Sequence, residues 1–118
     1  MNRVLPDDVV QAYYQTGLIP IRCAWTSDDG RGSCAMDALA THRGITTQEL
    51  RESLPVRYEE GFFLAWDSED PRRDDVVEHV RAEHDDAVKR GFCDGILCRS
   101  AVENTFSTSA FVEISNDS

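Results

Sequence analysis

Behind Pro6-Asp7-Asp8, the apolar residues Val9, Val10, Tyr13 and Tyr14 recur at three- and four-residue spacing. That period predicts an amphipathic helix starting at the proline and closing on Gly17 as a left-handed cap. Over residues 18–25 the period drops to two. Ile19, Ile21, Cys23 and Trp25 alternate with Pro20, Arg22 and Ala24, which predicts a half-buried strand. Pro20 has no amide to donate, so the strand should begin there or lie on an edge. Residues 26–32 read as a loop, and Ser33 is the expected N-cap of a short helix running from Cys34 to His42 and ending at Gly44. Thr46 to Glu49 offers a second cap, for one or two turns before Pro55. Tyr58, Phe62, Ala65 and Trp66 then form an apolar helical face that breaks over residues 67–71.

The longest element is expected to start at Asp74, with Val77, Val80, His84, Val88 and Gly91 at helical spacing. Its end is open, either at Gly91 or through Gly95 toward Val102, because each internal glycine costs about 1 kcal/mol relative to alanine and needs a packing reason. The tail alternates Phe106, Thr108, Ala110, Val112 and Ile114, predicting a strand that pairs with the one near Ile19 before the chain frays from about residue 115. One internal echo stands out: Gly61-Phe62 and Gly91-Phe92 are each followed, after two residues, by a small residue (Ala65, Gly95) and then a bulky apolar one (Trp66, Ile96). A small residue four positions from a glycine clears one helix face, so two such segments could pack as a pseudo-symmetric helix pair. Together these elements predict a single domain over residues 1–118, predominantly helical α+β, with four or five helices and one or two short strands.

Charge narrows the classes of function. Twelve basic and twenty-two acidic residues give a net charge of −10 over 118 residues. A phosphate backbone or an anionic membrane surface needs a cationic face, so neither nucleic acid nor membrane is an expected partner. No run of about 18 apolar residues is present for a spanning helix, and the first residues hold no apolar signal core, so a cytoplasmic location is expected. The carboxylates crowd into the second half, with nine among the twenty residues 67–86. Such a run is either a solvated helix face or an acidic docking surface for a basic partner.

Cys23, Cys34, Cys93 and Cys98 are the residues that invite chemistry. Cys34 falls at the first turn of a predicted helix, where free amides favour a thiolate. Gly32-Ser33-Cys34-Ala35-Met36 resembles the nucleophile segment of papain-like cysteine proteases over those few residues. Ala35 stands where that family has an aromatic, no glutamine lies a few residues upstream, and papain-like domains are much longer. No catalytic residue is therefore carried over. His42 would sit roughly 12 Å from Cys34 along one helix, at 1.5 Å per residue, which is beyond hydrogen-bond reach. His84, on the apolar stripe, is expected as a hydrogen-bonded core histidine, and it could serve as a base only through tertiary packing. His79 is expected at the surface. Four cysteines could in principle make a zinc site, but Cys93 and Cys98 would point about 140° apart on a helix. No phosphate-cradling glycine pattern occurs, and no cofactor is expected.

The bulky apolar side chains of Phe62, Phe63, Leu64 and Trp66 cannot all face one interior from a single helix, which points to association with a partner or a second copy. The functional expectation is a non-enzymatic interaction or regulatory module that binds a protein, a basic one by charge, through Phe63, Trp66, Asp75, Glu78, Asp85 and Asp86. The alternative is a small cysteine-dependent enzyme or zinc-stabilised domain centred on Cys34.

Overall fold

The computed structural model describes residues 2–106 and the backbone of residues 112–113. Among the described residues six helices and three short strands follow in the order α1 (Pro6–Thr16), β1 (Ile19–Arg22), β2 (Gly32–Ser33), α2 (Ala35–Arg43), α3 (Thr47–Glu52), α4 (Tyr58–Asp67), α5 (Asp74–Arg81), α6 (Asp86–Phe106) and β3 (Val112–Glu113). The fold is predominantly helical α+β, as the periodicities imply. Its caps are largely those that the residues announce. Gly17 and Gly44 close α1 and α2 at φ +72° and +71°. Thr46 and Glu49 form a reciprocal capping box on α3.

β1 is the middle strand, parallel to β2 on one side (Ile19 opposite Gly32) and to β3 on the other (Ile21 opposite Val112). This gives β1 a burial pattern different from the expected alternation. Ile19 is exposed, while Pro20, Ile21 and Arg22 are all buried. The strand stops at Arg22 because Cys23 takes a left-handed conformation, φ +67°, and turns the chain away. Trp25 to Ser27 then doubles back antiparallel to β2, through the Thr26–Ser33 bridge and a bond from the Cys34 amide to the Trp25 carbonyl (2.9 Å). Ser33 is thus a strand residue, and the cap of α2 passes to Cys34, whose sulfur accepts the Asp37 amide at 3.5 Å. Of the expected tail strand over 108–114, only residues 112–113 fall among the described residues, and they do pair with β1.

The predicted long helix from Asp74 is two helices. The chain leaves helical geometry over residues 82–85, and Asp85 restarts it by accepting the Ala87 amide at 2.9 Å. Arg57, just before α4, reaches across to Glu83 (3.3 Å) and Asp85 (3.5 Å), tying this link to the start of α4. From there α6 runs unbroken through both Gly91 and Gly95. Local periodicity could not reveal the break, because the valines on either side keep helical spacing by coincidence of phase. One consequence is that His84 lies exposed in the link rather than in the core.

The packing reason for the two glycines is the α4–α6 contact. A Cβ on Gly61 would lie 1.8 Å from the Val88 carbonyl oxygen, and a Cβ on Gly91 would lie 2.0 Å from that of Tyr58. Gly95 is also close-packed, though less tightly, with Phe62 O at 2.5 Å and Ala65 Cβ at 2.9 Å from its would-be Cβ. The two helices run in the same direction. Their starts meet through Arg57, and Arg99 on α6 donates to the carbonyls of Ala65 and Glu69 at the end of α4 (3.0 and 3.1 Å) and to Ser68 O. The echo in the sequence is therefore a pseudo-two-fold helix pair.

The main core is built on this pair, α1 and α2. Trp66, Tyr13, Phe62 and Tyr58 are fully buried, with Tyr13 stacked on Trp66 (6.4 Å) and Phe62 on Trp66 (6.2 Å). On α1 it is Val9, Ala12 and Tyr13 that face in, while Tyr14 is 73% exposed. A smaller cluster of Ala65, Val80 and Phe92 sits under α5. Between them, α5 and the Trp25 loop cover the flanks of α4 that the sequence left without a partner, so Phe63 and Leu64 are half-buried. No described helix is long and apolar enough to cross a membrane.

Candidate functional site

The turn after β1, the cap of α2 and the last turns of α4 enclose a pocket of about 260 Å³ lined by Cys23, Ala24, Trp25, Cys34, Phe63 and Asp67. Each wall follows from the local structure. Cys23 is held in its left-handed conformation by Asp67, whose Oδ1 accepts the Cys23 amide at 2.9 Å, while the Cys23 thiol lies 3.6 Å from the Asp67 carbonyl. A non-glycine residue in this region costs of order 1–3 kcal/mol, and such residues concentrate where a site requires them. Trp25 packs edge-to-face on Phe63 (centroids 5.2 Å apart), and the Arg51 guanidinium lies 5.4 Å from the Trp25 ring centroid.

The electrostatics do not suit nucleophilic catalysis. Burial pushes the Cys34 thiol up to about 12, against the weaker opposite pull of the Asp37 and Met36 amides, so at neutral pH it is a thiol. The helix N-terminus that favours a thiolate is present, but desolvation outweighs it. No imidazole lines the pocket: His42 is exposed at the far end of α2, and His79 and His84 are exposed on α5 and in the link after it. Cys34 and His84, the nucleophile and base that the sequence offered, are not brought together. Asp67 is the other titrating wall. Burial raises its carboxyl above the usual range, and the Cys23 amide, Arg22 and Arg99 only partly offset this.

The four cysteines do not assemble into one centre. Cys23 and Cys34 share the pocket, whereas Cys98 is buried on α6 and Cys93 is exposed. Among the described residues no three His, Cys, Asp or Glu side chains are grouped to hold a metal ion.

The six residues expected to bind a partner separate into three groups. Trp66 is not available: it is 0% exposed, and its indole N–H donates to Ile21 O at 2.8 Å. Phe63 does reach a concave surface, but with Trp25 as its companion. Trp25 is 40% exposed and packs on Phe63 at this surface, where the sequence alone points to Trp66. Asp75, Glu78 and Asp86 are exposed, while Asp85 is partly buried and engaged in capping α6 and pairing with Arg57. The pairs Arg73–Asp75 (2.6 Å) and Arg81–Glu78 (3.2 Å) are both solvent-exposed and contribute little, so these carboxylates stay open to competition.

Sequence reasoning missed Asp67 as a wall of this pocket. It missed the buried carboxylate Asp94 as well, 1% exposed on α6. Arg3 Nη2 binds Asp94 Oδ1 at 2.6 Å, and the Tyr58 hydroxyl donates to Oδ2. The same hydroxyl accepts the Val4 amide at 2.8 Å, and the Cys98 thiol lies 3.7 Å from Val4 O, so one cluster clasps the N-terminal segment onto the helix pair. A signal was present: Gly91, Asp94, Gly95, Cys98 and Val102 follow helical i, i+3, i+4 spacing, which places Asp94 on the closely packed face.

A larger concavity of about 550 Å³ opens around Val56 between α3 and α4, but its lining of Gln48, Arg51, Glu52 and Arg57 converges no reactive groups. Comparison of the chain with protein-family models, curated proteins and solved structures found no match in any of the three.

Proposed function

We propose that this protein is a non-enzymatic interaction module that docks a basic protein partner in the cytoplasm on the acidic surface formed by α5 and the start of α6. The observation that carries the reading is the charge of this surface. Residues 69–86 hold eight carboxylates against three arginines, and Asp74, Asp75, Glu78 and Asp86 all face solvent. α5 buries only Val80 among its eight residues and so is a display element rather than a core helix. Opposite charge on a partner would be steered to it from a distance and lose that advantage as salt rises. The thiol-enzyme reading loses support, because burial keeps the Cys34 sulfur a thiol at neutral pH and no imidazole lines its pocket.

Titration of an arginine-rich peptide by calorimetry at low and high salt tests the reading. The triple variant Asp75→Asn, Glu78→Gln, Asp86→Asn is expected to weaken binding more than Asp7→Asn, Asp28→Asn, Glu52→Gln, which removes the same charge elsewhere. Equal weakening by both triples would reduce the effect to net charge and overturn the docking surface. Light scattering on the same samples separates partner binding from self-association.

A further inference from the structure

We infer that the pocket formed by Trp25, Phe63 and Asp67 receives a guanidinium group, the arginine side chain of the basic partner. This inference rests on the function proposed above and gives it a specific anchor.

Three features converge on that chemistry. The pocket, about 260 Å³, is smaller than the roughly 300–1,000 Å³ that hold drug-sized ligands, so it suits one side chain. Its polar wall is a carboxylate with an open position: Asp67 Oδ1 accepts the Cys23 amide, and among the described residues Oδ2 has no hydrogen-bond partner. Its apolar walls are aromatic rings, whose faces attract cations, with arginine the commonest partner. The protein itself already shows the second contact, since Arg51 rests over the Trp25 ring at 5.4 Å. The nearby cations do not fill the carboxylate's open position. Arg22 donates to Ser68 O at 2.8 Å, and Arg99 donates to Ala65, Ser68 and Glu69 carbonyls and to Glu103. A carboxylate partly withdrawn from water, beside rings and polarisable thiols, gains more from an organic cation than from a hydrated metal ion.

The occupant is a protein side chain rather than a free metabolite, because the partner proposed above is a basic protein and the guanidinium is the cation that pairs with both a carboxylate and an aromatic ring.

The test uses N-acetyl-arginine methylamide and its neutral isostere N-acetyl-citrulline methylamide, titrated into the intact protein and followed by NMR. Saturable shifts of the Trp25 indole N–H and the Cys34 amide are expected in the millimolar range for the arginine probe. The citrulline probe, and the arginine probe on Asp67→Asn, are each expected to bind about tenfold more weakly. Trp25→Leu, which keeps apolar volume without the ring, should weaken the arginine probe too. The Trp66 indole signal reports that each variant keeps the native core. Equal binding of the two probes, unchanged binding by Asp67→Asn, or the absence of saturable shifts would overturn the pocket. The α5 triple variant leaves this small probe unaffected if the pocket acts alone. Failure of the acidic surface and failure of the pocket are therefore read separately.

Discussion

Gly61 and Gly91 occupy equivalent places in the α4–α6 pair, each packed against the carbonyl three residues before the other: Val88 O faces Gly61, and Tyr58 O faces Gly91. The helices therefore touch backbone to backbone, with room for no side chain and with Cα–H groups directed at carbonyl oxygens. The conformational cost of glycine in a helix is offset by this approach, which also brings the Phe62 and Phe92 backbones against the opposite helix.

Gly61→Ala and Gly91→Ala should each destabilise the fold by about 3 kcal/mol, the upper end for overpacking, because the atoms in the way are backbone and cannot rotate aside. Urea unfolding measures it. Gly30 is a useful contrast, since nothing lies within 4 Å of its would-be Cβ and only its φ of +75° resists alanine, at about 1 kcal/mol.

Tyr58→Phe should cost about 2 kcal/mol, since one hydroxyl satisfies both the Val4 amide and Asp94. Hydrogen exchange at the Val4 amide should accelerate beyond the change in global stability. Exchange that merely follows global unfolding would show that the clasp does not hold the N-terminal segment.

Cys34 and Cys98 are buried, and burial raises both thiols well above the ordinary range, whereas Cys23 and Cys93 are exposed. Iodoacetamide at neutral pH should label Cys23 and Cys93 in the native protein and reach Cys34 and Cys98 only on unfolding. Peptide mass spectrometry identifies the sites. Rapid native labelling of Cys34 would restore the nucleophile reading.

Asp67 gives the pH dependence. Burial holds its folded-state pKa above the ordinary value of 3.8, so the folded chain binds this proton more tightly than the unfolded chain does. The favourable contribution is complete in acid and is lost as pH rises through the folded value. Asp67→Asn keeps an oxygen for the Cys23 amide and should be more stable than the native protein at pH 7. The advantage should disappear as pH falls below the carboxylate range. Denaturation midpoints across pH measure it. A residue that costs stability where it stands is what a binding role predicts.

Much of the architecture was legible in the linear order of residues because it depends on neighbours in the chain. Pro6, Gly17, Thr46 with Glu49, and Gly44 act on backbone within a few positions, and each marks a real boundary. The paired Gly-Phe segments were legible for a similar reason: spacing alone places a small residue on one helix face. Spacing could not tell which contact would use that face, nor that helical phase survives the break at residues 82–85. That break depends on Asp85 capping the next helix and on Arg57 reaching across from another element. The site lay further out of reach. Trp25 and Trp66 are the same residue type with similar apolar surroundings in sequence, yet one is buried on Tyr13 and the other forms a wall with Phe63, because the turn at Cys23 swings the first outward. Asp67 looked like one more carboxylate in an acidic run. Composition and period determined the helical class, the charge and most caps, since these are sums or local geometry. Which carboxylate, ring and thiol would share a pocket was decided by the three-dimensional packing of β1, α2 and α4, because desolvation acts on groups brought together from distant parts of the chain.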